Sequence, residues 1–210
     1  LIGKMTLGAY LLNADSQTRL AVIDADDDLQ LARLANISVS LAQHDIPSYL
    51  ESSRRGAHLW FFFEQPLPGA VVRNFGRSIF KAYALQGIEF YPKQDKLEDG
   101  PGSLIRLPFG IHRKNGKRYG FVTQNGEPVA KSIAEQIRLL SDPRRIQHAA
   151  LENFMAQHKV TVPREQPTFS KKETVGDTLS EQIKCSLSVL DFVGQYVELS
   201  PSGRGLCPFH

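Results

Sequence analysis

Cysteine is scarce in this 210-residue chain: only Cys185 and Cys207 occur. Two thiols cannot build a disulfide framework, which excludes a small bridged scaffold and leaves a reduced, cytoplasmic protein as the expectation. Long apolar runs are missing as well. The longest is "LWFFF" at 59–63, strand-sized and far short of the roughly 18 residues of a membrane span, so no membrane partner is expected. No secretory signal is visible, because Lys4 leads into a mixed segment without a cleavage pattern. Neither charge sign dominates: 25 Lys and Arg face 22 Asp and Glu, for a net charge of +3. That fits an anionic partner without demanding one. With moderate charge and 41% hydrophobic residues, the chain is not of the disordered class and can bury one good core. It starts at Leu1 and stops at "CPFH", and is read as a piece of a longer protein; no internal repeat is visible.

What is present is a succession of strand and helix patterns. "RLAVIDAD", 19–26, reads as a buried strand ending in acids. After it, Leu31, Leu34, Ala35, Val39 and Ala42 recur at helical spacing, with Asp27 or Asp28 as the cap. "PSYLES" is a second strand, and "AHLWFFFE" a third, central by its apolar content. Residues 68–86 read as a helix with Pro68 in its first turn, and "IEFYP" as a short strand stopped by Pro92. "LIRLP" and "RYGFVT" are strands joined by "FGIHRKNGK", whose Asn115-Gly116 signals a tight turn. Two helices, roughly 130–141 and 143–158, close the unit. The expected organisation is a catalytic domain at 1–158, a Pro-rich linker at 159–178, and a helix with the start of another domain at 179–210. The order predicts an α+β fold with a mostly antiparallel sheet backed by helices, as in RRM-like and polymerase-palm sheets.

The chemistry-bearing residues begin with "VIDADD". Asp24 and Asp26 are two apart on a strand, so both carboxylates leave one face while Ala25 enters the core. Two adjacent acids repel unless a cation sits between them, and Mg²⁺ or Mn²⁺ takes such oxygen ligands. A pair of ions about 4 Å apart activates a 3′-hydroxyl and stabilises a leaving pyrophosphate. Glu89 is the candidate third acid; an exposed strand glutamate is the plainer alternative. In "SSRRGAHLW", Ser52, Arg54, Arg55 and His58 precede an apolar strand, and Gly56 allows close approach to a ligand. Singly, the arginines read as solvated and His58 as a core histidine. Beside two acids, the cluster is what a nucleoside triphosphate requires. Lys93, Gln94, Arg106, His112 and Arg113 form a second set for triphosphate or nucleic-acid backbone, whereas Lys114 and Lys117 read as turn residues.

"VIDADD", "SSRRGAHLWFFFE", "IEFYPKQ" and "GSLIRLPFGIHRKNGKR" together resemble the archaeo-eukaryotic primase superfamily, in its primase-polymerase branch of CRISPR-associated and conflict-system primases. The resemblance covers roughly 1–158. It implies Asp24, Asp26 and Glu89 as ligands of two Mg²⁺ or Mn²⁺ ions, although many relatives carry aspartate at the third position. It implies Ser52, Arg54, Arg55 and His58 as nucleotide-binding residues. The expected partners are a single-stranded DNA template and primer, and NTP or dNTP substrates. CRISPR adaptation, helicase or nuclease modules are expected in a longer protein. "LSVLDFVGQYVELSPSGRGLCPFH" is similar to the start of the zinc-binding domain of bacterial-type primases, which implies Cys207 and His210 as two of four Zn²⁺ ligands. Three other readings remain. A gap-filling polymerase would extend but not start. A metal-dependent nuclease or rolling-circle initiator could also use acids and a histidine on such a sheet, and the initiator class would want a tyrosine nucleophile and paired histidines. A non-catalytic nucleic-acid-binding sheet would want exposed aromatics.

Overall fold

The computed structural model describes residues 7–98 and 100–160. Two units divide the chain, Leu1–Thr161 and Val162–His210. The second unit, with Cys185, Cys207, His210 and the expected segment 179–210, lies outside the described residues. No described helix is long and apolar enough to cross a membrane.

In chain order the elements are β1 (Gly8–Tyr10), β2 (Gln17–Ala25), α1 (Asp28–Ala42), β3 (Tyr49–Ser52), β4 (Ala57–Pro68), α2 (Gly69–Ala82), β5 (Glu89–Tyr91), β6 (Leu104–Arg106), β7 (Phe121–Val122), α3 (Ile133–Ser141) and α4 (His148–Gln157). A five-stranded sheet has the order β5-β2-β4-β3-β7, with β4 in the middle. All its ladders are antiparallel. The architecture is therefore α+β, a sheet backed by helices. α1 starts at Asp27, whose carboxylate accepts from the Leu29 amide and satisfies one orphan N–H of the first turn. α2 follows Pro68 and ends at Ala82 rather than running to Gln86. The chain leaves the helix where Ala84 adopts φ 49 and Gly87 φ 68.

Strand alternation divides "LWFFF" between two layers. Leu59, Phe61 and Phe63 of β4, with Ala21, Ile23 and Ala25 of β2, face the helices and pack with Leu34, Phe75 and Phe154. Phe61 and Phe75 meet edge to face with centroids 5.4 Å apart, and each fully buried ring contributes about 1.5–3 kcal/mol. Val22 and Trp60 face the other way and pack with Leu11, Ile105 and Phe121.

β6 and β7 do not form the hairpin expected of them. β6 pairs with β1 in a separate two-stranded sheet, and β7 joins β3 at the edge of the main sheet. Pro108 lacks an amide to extend the ladder, and Phe109 at φ 67 turns the chain away. The tight turn survives in a smaller hairpin: Ile111 bridges Arg118, and Gly116 takes φ 66. β1, a three-residue strand, has no counterpart among the sequence expectations.

Candidate active site

The same alternation that sends Ile23 and Ala25 to the helices sends Asp24 to the opposite face. Register then assembles a row across four strands. Glu51 on β3 lies opposite His58 on β4, His58 opposite Asp24 on β2, and Asp24 opposite Glu89 on β5. Directly opposed side chains on one face are neighbours, with Cβ atoms about 4.5–5.5 Å apart.

His58 is clamped between two acids. Its Nδ1 lies 2.8 Å from Glu51 Oε2 and its Nε2 3.2 Å from Asp24 Oδ1. Burial pulls the imidazole pKa down, but the hydrogen bonds to Asp24 and Glu51, and their charges, win and push it up to about 9. With an acceptor on each side, both ring nitrogens donate and His58 is an imidazolium. Glu51 is fully buried. It also accepts from Trp60 Nε1 at 2.8 Å and from Arg106 Nη2 at 3.0 Å. A buried carboxylate is tolerable only when paired and hydrogen-bonded in this way. No sequence reading singled out Glu51. Its signal was the alternation of Tyr49, Leu50 and Glu51 combined with the short β3–β4 connection, which pairs Ser52 with Ala57.

The arginines of "SSRRGAHLW" lie on that connection. Arg54 and Arg55 line a cleft of about 350 Å³ together with Asp24, Asp26, His58 and Arg106. Arg55 Nη2 stands 3.5 Å from Asp26 Oδ2. Gly56 is required by the chain's own packing: a Cβ there would sit 1.9 Å from the Ala25 carbonyl oxygen. The β3–β4 turn can thus press against the end of β2 and hold Arg55 beside Asp26.

The other expected residues divide. His112 lines the cleft, and its buried Nδ1 has no hydrogen-bond partner among the described residues. Ser52 turns its hydroxyl to the Gly120 carbonyl at 3.3 Å, and Ser53 lines the cleft in its place. Lys93 Nζ is 2.8 Å from Glu89 Oε1, and Tyr91 donates to Glu89 Oε2 at 2.8 Å. These two hydrogen bonds hold the Glu89 carboxyl below the usual carboxylate range. Glu89, Lys93 and the α2 arginines Arg73 and Arg77 line a neighbouring groove beyond β5. Gln94 bonds Ser103 Oγ, and Arg113 is exposed on the small hairpin.

Asp24, Asp26 and Glu89 offer hard carboxylate oxygens of the kind that suits Mg²⁺ or Mn²⁺. Among the described residues, no three acids, histidines or cysteines converge on one point. Asp24 is drawn to His58, Asp26 to Arg55 and Glu89 to Lys93. The donor set fits such an ion, provided these cations share or release their carboxylates.

A family model for the archaeo-eukaryotic primase domain of the TOTE conflict system matches residues 1–154. No curated protein matches the chain. The match spans the helix-backed antiparallel sheet and every residue of the acid–histidine row, and by it the chain belongs to the archaeo-eukaryotic primase family of TOTE conflict systems, a family of primase-like nucleotidyltransferases.

Proposed function

We propose that the chain is a primase-polymerase, which copies a single-stranded DNA template by adding NTP or dNTP units and starts its own primers. One observation carries the reading: Asp24 and Asp26 share one cleft with Arg54, Arg55 and Arg106. Acids that suit divalent ions and arginines that suit phosphates are the two halves of a triphosphate site. Asp24, Asp26 and Glu89 are the proposed ligands of two Mg²⁺ or Mn²⁺ ions. When bound, these supply charge neutralisation to the attacking 3′-hydroxyl and the departing pyrophosphate. The protein's own part is positioning and field. Arg54, Arg55 and Arg106 orient the phosphates. His58, charged and held by Glu51, fixes the Asp24 carboxylate and adds its field to the phosphate site. No protein nucleophile is required. The family match favours a conflict-system setting over CRISPR adaptation. Cys207 and His210 are proposed as two ligands of a zinc site.

Arg55→Ala is expected to weaken nucleotide binding roughly 10- to 100-fold, the loss of a charge-assisted phosphate contact, while template affinity stays near wild type. Titrating labelled nucleotide and labelled template against the variant measures both. Lost template affinity with unchanged nucleotide affinity would move the arginines to the template. The function as a whole is tested by supplying labelled nucleotides with Mg²⁺ or Mn²⁺ and either unprimed or primed single-stranded DNA. Products from both are expected. Extension without initiation would make the chain a gap-filling polymerase. Shortened DNA would make it a nuclease, and binding without any product a non-catalytic module.

A further inference from the structure

The small hairpin beside the cleft carries charge that the triphosphate site does not use. Arg113, Lys114, Lys117 and Arg118 fall within six consecutive residues, and no acid occurs between Asp99 and Glu127. Arg113, Lys114 and Lys117 are all exposed. Three other surface cations are matched with acids, Arg73 with Asp95, Lys93 with Glu89 and Arg145 with Asp142, and Arg19 and Arg33 donate to backbone carbonyls. Among the described residues, no such ion pair is made by Arg113, Lys114 or Lys117.

The hairpin is also fixed in place. The His112 amide donates to the Lys117 carbonyl at 2.8 Å, and the Gly116 amide to the His112 carbonyl at 2.8 Å. Asn115 Nδ2 donates to Tyr119 Oη at 2.7 Å. At its base the Phe109 and Phe121 rings stack edge to face at 5.5 Å. Cations held side by side on an ordered turn repel one another, and an extended polyanion relieves that repulsion. The hairpin contributes His112 and Lys114 to the cleft lining. Arg113 and Lys117, both exposed, are not among the residues that line the cleft, which Arg54, Arg55 and Arg106 already supply with charge.

We propose that the Ile111–Arg118 hairpin holds the sugar-phosphate backbone of the single-stranded template as it enters the cleft. The proposal rests on the reading of that cleft as a template-copying site. Lys114 stands where template and nucleotide meet, and Arg113 and Lys117 grip phosphates farther out.

The test is the double variant Arg113→Gln with Lys117→Gln, neither of which lines the cleft. Affinity of the whole chain for fluorescently labelled mixed-sequence and homopolymeric single-stranded DNA is measured across salt concentrations by anisotropy. Two lost phosphate contacts should reduce the slope of log affinity against log salt by about 1.4, and affinity at 0.1 M salt on the order of tenfold, equally for all sequences. Nucleotide affinity should hold at the wild-type value. An unchanged salt slope, a loss confined to one sequence, or a fall in nucleotide affinity instead would overturn the proposal. The two readings fail separately. A slope that falls in the double variant while the wild type makes no product contradicts the polymerase, and a wild type that makes product while the variant's slope is unchanged contradicts the hairpin's role.

Discussion

Replacing Asp24 and Asp26 together by asparagine is expected to abolish nucleotide addition, lowering its rate by more than about a thousandfold, the several kcal/mol that metal-held charge stabilisation supplies. Asparagine keeps the shape and one acceptor oxygen of each side chain but removes the charge that would bind the ions. Stability should fall only modestly. Asp26 is largely exposed, and its contact with Arg55 is a long one at 3.5 Å, the kind of surface pair worth about 0–1 kcal/mol. Asp24 does more, since it holds one side of the buried His58 ring. Its asparagine can still accept from Nε2, so the fold survives. Single-turnover primer extension measures the rate, and circular dichroism with a thermal melt measures the fold. A double variant that extends primers at the wild-type rate would remove these acids from the mechanism.

The largest loss of stability is expected from Glu51→Ala. Three donors converge on this one carboxylate, from His58, Trp60 and Arg106. Alanine would leave the Nδ1–H of the imidazolium and an indole N–H buried without an acceptor, with Asp24 still holding Nε2. Breaking a buried ion pair by removing one partner costs about 3–5 kcal/mol, a large part of a small domain's stability. Glu51→Gln should lose less, because its amide oxygen still accepts from one of the three. Urea unfolding of the two variants checks the order. An unchanged midpoint for Glu51→Ala would show that the network is not what holds the row together.

The strands and helices that carry the site were legible because each has a clear period. The same-face placement of Asp24 and Asp26, with Ala25 in the core, follows from the two-residue repeat of a strand, and Ala25 is indeed buried on the helix side. The central position of β4 followed from its apolar residues on both faces. Three features were not legible, each because it depends on pairing across the chain. Glu51 reads locally as an acid at a strand end, and only its register against His58 makes it the buried hub. Gly56 reads as a ligand-binding glycine, and only the packed turn shows it against the Ala25 carbonyl. The separation of β6 from β7 depends on Phe109 taking a left-handed conformation, which a phenylalanine does not advertise. Serine position was also ambiguous by one residue. Neighbouring residues of a strand point to opposite faces, so Ser53, just past the end of β3, reaches the cleft where Ser52 does not.

If Asp24, Asp26 and Glu89 hold the ions for nucleotidyl transfer, Mn²⁺ binding must depend on them. Electron paramagnetic resonance of Mn²⁺ with the whole chain, with and without a non-hydrolysable triphosphate, measures it directly. Bound Mn²⁺ should increase when triphosphate is added. It should fall to the free-nucleotide level in Asp24→Asn with Asp26→Asn, and fall in part in Glu89→Gln. Equal Mn²⁺ binding by the wild type and the double variant would contradict the account.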